Sequence, residues 1–162
     1  MWQRMLQIGS GSGEPELIDL VPAMTSPTTL GFTASASAKS ESAYVVFSQN
    51  ESASFFIDNT SNAYIDIVFP SLLTVKGVDF IPNFWNGASY IKDFKILGSK
   101  NGTTFDIPLL ETTAENTGSI GRKTLSYDFA GKSCKAVRFM QVGTSSYSGS
   151  NFGLIKLQYR GY

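Results

Sequence analysis

The 162-residue chain has no histidine and a single cysteine, Cys134. Without histidine the usual general base is missing, so the Ser-His and Cys-His routes to nucleophilic catalysis are closed, and so is the commonest transition-metal ligand set. One cysteine excludes an internal disulfide. Charge is scarce as well. Thirteen basic residues balance thirteen acidic ones and only 16% of the chain is charged, so no net field draws in nucleic acid or an anionic membrane, and neither is expected as a partner. No apolar run approaches the roughly twenty residues of a spanning helix. The N-terminal MWQRMLQI also lacks the apolar run of about seven or more that a signal peptide needs, so the chain is expected to be made in the cytoplasm with no export signal of its own. There is no P-loop, no glycine fingerprint ahead of a helix and no nucleophile elbow, since GSGSG at Gly9 to Gly13 has glycine at its centre. Paired carboxylates serve glycosidases, and Asp58, Asp66, Asp79, Asp93 and Asp106 are available. None lies in a recognisable signature, and most fall at outward strand positions or turns, so an enzyme is not expected. The N-x-[ST] patterns opened by Asn50, Asn59 and Asn101 are chance matches in a Ser/Thr-rich chain.

What is present is a repeating grammar of short strands and polar turns. It is plainest over Tyr90 to Leu110, YIKDFKILGSKNGTTFDIPLL. Tyr90, Phe94 and Ile96 recur at even spacing, Asn101-Gly102 tolerates positive φ at both centres of a tight turn, and Phe105, Ile107 and Leu109 alternate on the return. This predicts a β-hairpin, with Pro108 marking an edge or a bulge because it has no N–H to give a ladder. Further strands are expected over Leu17–Val21, Leu30–Ala38, Ala43–Phe47, Ala53–Asp58, Leu73–Ile81, Lys123–Phe129, Lys135–Val142 and the closing Ile155, Leu157 and Tyr159. A central strand is expected over Ala63–Phe69, where Ile65, Ile67 and Phe69 alternate with Tyr64, Asp66 and Val68. No segment keeps a 3.6-residue period beyond a turn or so. The 42% hydrophobic content and single-domain length suit one core, and the strand pattern predicts an all-β jelly-roll β-sandwich of two antiparallel sheets.

Residues 1–13 stand apart from this pattern. Trp2, Met5, Leu6 and Ile8 put four large apolar side chains ahead of a flexible Gly/Ser linker, Gly9 to Gly13. Two readings are open: an N-terminal anchoring peptide on a tether, with residues 1–8 docking onto neighbouring subunits of an assembly, or a frayed or artificial extension. The domain itself is expected to span residues 14–162, and the pattern is compatible with a homo-oligomer.

Five motifs in order resemble the discoidin family, also called coagulation-factor type C domains, which includes many carbohydrate-binding modules. They are ASAS at Ala34–Ser37, AYIDIVF at Ala63–Phe69, KDFKILGSKNGTTFD at Lys92–Asp106, KAVRF at Lys135–Phe139 and the terminal GLIKLQYRG. The resemblance implies a galactose-binding-like jelly roll whose ligand site is made by loops at one end, here Ser40–Glu51, Pro82–Ser89 and Gly143–Phe152. Phe84, Trp85, Tyr147 and Phe152 would present ring faces to the C–H patches of a pyranose. Asn83, Asn86, Ser145, Ser148 and Asn151 would meet its hydroxyls. The chain departs from the family where many members bind calcium: the region after the second strand reads Val46-Phe47-Ser48-Gln49, and the terminal acidic position is Lys156. Calcium needs six to eight oxygens including carboxylates, so no metal and no other cofactor is expected, with Lys156 either occupying the vacated position or solvated. The function expected is non-catalytic carbohydrate binding and host-receptor recognition, with a cell-surface glycan as partner. The missing disulfides suit a bacteriophage tail or baseplate component on a virion, or otherwise an extracellular protein. The alternative is a structural virion or accessory protein that uses the sandwich for protein-protein docking.

Overall fold

The computed structural model describes residues 15–144 and 146–162. The expectations placed on residues 1–13 and on Ser145 lie outside the described residues. In chain order the strands are β1 (Ile18–Asp19), β2 (Thr28–Thr29), β3 (Phe32–Ala36), β4 (Phe55–Ile57), β5 (Tyr64–Pro82), β6 (Phe84–Trp85), β7 (Ala88–Ser89), β8 (Asp93–Ser99), β9 (Ile107–Thr113), β10 (Leu125–Gln141) and β11 (Phe152–Gly161). A 3₁₀ helix, Ser40–Phe47, lies between β3 and β4. The main hydrogen-bonded path runs β1-β11-β5-β10-β8-β9, with β3 on β5, β2 on β3 and β4 on β11, and every pair is antiparallel. This is the all-β jelly roll that the strand grammar predicts.

Two long strands turn the path into a sandwich. The first half of β5 pairs with β3 and with the end of β10, and its second half with β11 and the start of β10. Between the halves Pro70, Ser71 and Leu72 are exposed, and β10 shifts register between Asp128 and Lys132 and again between Cys134 and Ala136. Such bulges bend a strand and let one chain segment serve both layers. The separate strands expected over 63–69 and 73–81 are therefore one element, as are those over 123–129 and 135–142. The central position expected of Ala63–Phe69 is observed, and Ile65, Ile67 and Phe69 are buried.

Where the layers face each other the core is aromatic. Phe80 of β5 meets Phe94 of β8 at 5.1 Å and Phe139 of β10 at 5.0 Å, both edge-on, while Phe94 and Phe139 stack at 5.0 Å. On the outer face of the β5–β10 pair, Arg138 donates to both carboxylate oxygens of Asp66, at 2.7 and 2.8 Å. Its guanidinium lies between the rings of Tyr64, 3.6 Å to the centroid, and Phe105, 4.2 Å. Burial holds the Asp66 carboxyl above its ordinary range although the Arg138 bonds pull it down. The arginine fastens the loop that carries Phe105 to the sheet.

Two local expectations are overturned. Ala43–Phe47 is helical, not a strand: Lys39, at φ 52°, turns the chain, and Ala43, Val46 and Phe47 then fall at i, i+3 and i+4 on one buried face. Asn101-Gly102 is not a two-residue turn either. Gly98 pairs with Ile107, leaving a longer loop, and Gly102 alone of the two has positive φ, 85°. Asn101 works through its side chain, its Oδ1 accepting from the Thr103 and Thr104 amides at 2.9 and 2.8 Å and from the Ser99 hydroxyl at 2.9 Å. Pro108 does sit on the edge strand β9, opposite Leu97 and next to a register shift.

Candidate functional site

The Asn-Gly turn of the two-residue kind occurs instead at Asn86-Gly87, with φ of 48° and 76°, closing the β6–β7 hairpin in the pairing Phe84 with Ser89 and Trp85 with Ala88. The stretch expected to be a plain loop over Pro82–Ser89 is thus a short β-hairpin that follows directly on the end of β5. Asn83 fixes its base: its Oδ1 accepts the Phe84 amide at 2.9 Å, its N–H donates to the Gly153 carbonyl at 3.0 Å, and its carbonyl accepts the Tyr90 amide at 2.9 Å. Buried Ser89 fixes the far side. Its amide donates to Asn116 Oδ1 at 2.9 Å, its hydroxyl lies 3.0 Å from that of Thr117, and its carbonyl accepts the Tyr147 amide at 3.0 Å. Three segments distant in sequence thereby converge on one hairpin.

Beside that hairpin lies an open hollow of about 260 Å³ lined by Ser54, Phe56, Asn83, Phe84, Trp85 and Tyr90. Trp85 is 65% exposed at its rim. Phe56 and Tyr90 meet at 5.0 Å with their planes tilted by 43°. The Asn83 amide donates to the Ser54 hydroxyl at 3.3 Å. Lys39 donates to the Phe56 carbonyl at 2.9 Å and holds its ammonium 5.8 Å from the ring centroid. Burial, and after it the Asp58 carboxylate, push the Tyr90 phenol above its ordinary range, so it stays a neutral group at physiological pH. A Cβ on Gly153 would lie 3.0 Å from the Tyr90 ring and 3.1 Å from Asn83 Cβ, so glycine there lets the floor of the hollow close. Aromatic faces beside an amide and a hydroxyl can hold a ligand that has both apolar C–H patches and hydroxyls.

Of the residues expected to bind, Asn83, Phe84 and Trp85 line the hollow. Asn86 makes the turn and is exposed at its tip. Phe152 is a correction: it is fully buried, packed edge-on to Phe55 at 6.3 Å and near Phe139 at 6.3 Å, and offers no face to a ligand. Tyr147 and Asn151 serve the scaffold. The Tyr147 hydroxyl donates to the Ala114 carbonyl at 2.8 Å, and Lys92 sits 5.8 Å from its ring centroid. Asn151 accepts the Asn59 amide at 3.3 Å and donates to the Ser148 carbonyl at 3.2 Å. Sequence reasoning missed Ser54, Phe56 and Tyr90. Alternation held the signal for one of them, since in Phe55-Phe56-Ile57 the outer two are buried and Phe56 must face the other way.

Three of the five aspartates singled out in the sequence are engaged by the scaffold: Asp66 holds Arg138, Asp79 holds Arg160 at 2.9 Å, and Asp93 accepts the Thr113 hydroxyl at 2.5 Å. Among the described residues no group of three or more Asp, Glu, His or Cys is placed to hold a metal. Lys156 faces Glu51, with 3.7 Å between ammonium and carboxylate, so a cationic side chain already meets the acidic group of that loop. A chelator is expected to leave the melting temperature unchanged. A fall of several degrees in differential scanning calorimetry would reveal a bound stabilising ion.

No family model matches the chain, and no curated protein matches it. Solved structures do. A family 32 carbohydrate-binding module, CpGH89CBM32-5 of Clostridium perfringens, solved in complex with GalNAc-β-1,3-galactose, superposes with a TM-score of 0.67 at 12% identity, covering 80% of this chain and 94% of that one. The family 32 module of C. perfringens NanJ, in complex with galactose, gives 0.64 at 14% identity over 80% and 93%. The CBM32 of AlyQ, in complex with 4,5-unsaturated mannuronic acid, gives 0.62 at 19% identity over 78% and 92%. The chain has the discoidin, galactose-binding-like fold of these modules.

Proposed function

We propose that a chain with this fold serves as a non-catalytic glycan-binding module, and that the hollow between the β6–β7 hairpin and Phe56 is its sugar site. The observation that carries the reading is Trp85, a large aromatic held outward on a hairpin that three other segments brace. A soluble domain gains nothing in stability by exposing an indole there, whereas the ring face suits the C–H patch of a pyranose, and Asn83 and Ser54 beside it suit its hydroxyls. Three neighbours of the same fold were solved with saccharides bound, which supports the ligand class. The narrower setting we propose, display on an extracellular assembly such as a phage tail, has compositional support in the absence of disulfides: the only cysteine is buried and free.

A glycan array followed by calorimetric titration with the strongest hit tests the site. A pyranose covering about a third of the roughly 150–250 Å² of an aromatic side chain gains about 1.3–2.1 kcal/mol at about 25 cal/mol per Å². Trp85→Ala is therefore expected to weaken binding at least about tenfold while the melting temperature stays put, because the side chain packs on nothing in the core. Binding unchanged in Trp85→Ala, or a silent array, would sink the assignment.

A further inference from the structure

We infer that the end of the sandwich opposite the aromatic hollow is a second ligand site, and that it takes a saccharide bearing carboxylate groups. The saccharide part rests on the reading given under Proposed function; the site itself does not.

β8 starts beside the hollow, where Asp93 accepts the Val142 amide at 2.9 Å, and ends at Ser99 on the far side of the domain. There the loop after β8 faces the bend of β10 across two hollows of about 390 and 420 Å³ that share Lys100 and Ile107 and so form one groove. Each is larger than the hollow at Trp85, and each falls within the roughly 300–1,000 Å³ of small-molecule sites. The walls are preformed. Asn101 gathers the Ser99, Thr103 and Thr104 bonds described above, and Phe105 is clamped on Arg138 at 4.2 Å.

The groove's chemistry is cationic in a chain of zero net charge. Lys100 lines both hollows and Lys132 the second, both are exposed, and neither ammonium forms a hydrogen bond or ion pair with a described residue. Lys135 adds a third charge nearby, its ammonium held on the Pro70 carbonyl at 2.6 Å. Against these stands Asp106, which lines the first hollow. An ammonium is a compact point charge with three donors, suited to a carboxylate. Ser133 supplies a partner for hydroxyls, as does Thr104, whose hydroxyl already accepts from the Asn101 amide at 3.2 Å, and Ile107 and Pro108 supply an apolar floor for C–H faces. A ligand that uses all three features carries hydroxyls, C–H faces and negative charge together, as a uronate sugar does.

The test is a titration of the isotopically labelled protein with an oligogalacturonide, with its fully methyl-esterified form and inorganic sulfate as separate arms. The oligogalacturonide is expected to shift the amides of residues 100–107 and 132–133. Lys100→Ala with Lys132→Ala should weaken it at least tenfold without moving the melting temperature, Asp106→Asn should tighten it, and Trp85→Ala should leave it unchanged. Affinity should fall as sodium chloride screens the contact. Equal binding of the methyl ester would remove the carboxylate from the proposal, and equal shifts with sulfate would reduce the site to an ion site; either overturns it. So would unshifted amides in this groove. Loss on Trp85→Ala but not on the lysine variant would place the acidic sugar in the aromatic hollow, ending this proposal while leaving the proposed function standing.

Discussion

Replacing Phe139 by alanine is expected to cost about 3–5 kcal/mol, the range for deleting a buried aromatic ring. In a chain of this size, where each kcal/mol moves the midpoint by roughly 2–4 °C, the melting temperature should fall by about 10 °C. The ring has no exposed surface and is stacked on Phe94 at 5.0 Å, set edge-on to Phe80 at 5.0 Å and near Phe152 at 6.3 Å. Those neighbours come from β8, β5 and β11, so the side chain joins both layers where they close. A cavity there cannot be filled by one rotamer change, because the surrounding rings are held by strands paired on both sides. Urea denaturation monitored by circular dichroism measures the loss. A cost below about 1 kcal/mol would mean that the rings of the two layers collapse onto each other and that the junction is more plastic than its geometry implies.

Phe139 was legible as a core residue, because Val137 and Phe139 alternate with Arg138 and Met140, and period-two alternation is a local signal that burial of one face enforces. The same signal made Ala63–Phe69 a central strand. It failed at Ala43–Phe47, where five residues are too few for the spacing of Ala43, Val46 and Phe47 to separate a helical turn from a strand. It also failed in the middle of β5 and of β10. The bulges that join two expected strands into one are decided by which neighbours the halves meet, and that information is tertiary. Asn-Gly illustrates the limit of turn chemistry. Both copies favour a tight turn, and the register of the flanking strands decided that Asn86-Gly87 would close a hairpin while Asn101 would serve as a side-chain acceptor in a longer loop. The site was half legible for the same reason. Asn83, Phe84 and Trp85 are contiguous and were found together, whereas Phe56 and Ser54 reach the hollow only through the pairing of β4 with β11. Phe152 looked like a loop aromatic because nothing local announces that β11 starts there.

The hairpin's position depends on a glycine that carries no chemistry at all. A Cβ built on Gly118 would lie 2.5 Å from the Gly87 carbonyl carbon and 2.6 Å from that of Ala88, with the Ala88 nitrogen nearer still. These are backbone atoms of the β6–β7 turn, which cannot rotate away as a side chain would. Gly118→Ala must therefore lift the hairpin or push the 114–118 segment aside, and either motion breaks into the bonds of Ser89 to Asn116 at 2.9 Å and Thr117 at 3.0 Å. Overpacking of this kind costs about 1–3 kcal/mol of stability, so the domain should still fold. The ligand should suffer more, since Phe84, Trp85 and Asn83 all move relative to Phe56 and Tyr90. If misalignment removes about 2–3 kcal/mol of contact, affinity falls roughly 30- to 150-fold, beyond the effect of deleting the Trp85 ring alone. Titration with the same glycan and hydrogen exchange at the Ser89 amide give the two readings needed. Gly87→Ala is the control: nothing lies within 4 Å of its Cβ, and its φ of 76° makes the substitution a test of backbone strain without collision. Near-normal affinity in Gly118→Ala, with the Ser89 amide still protected, would show that the turn yields at no cost and that the hairpin's placement does not set the site.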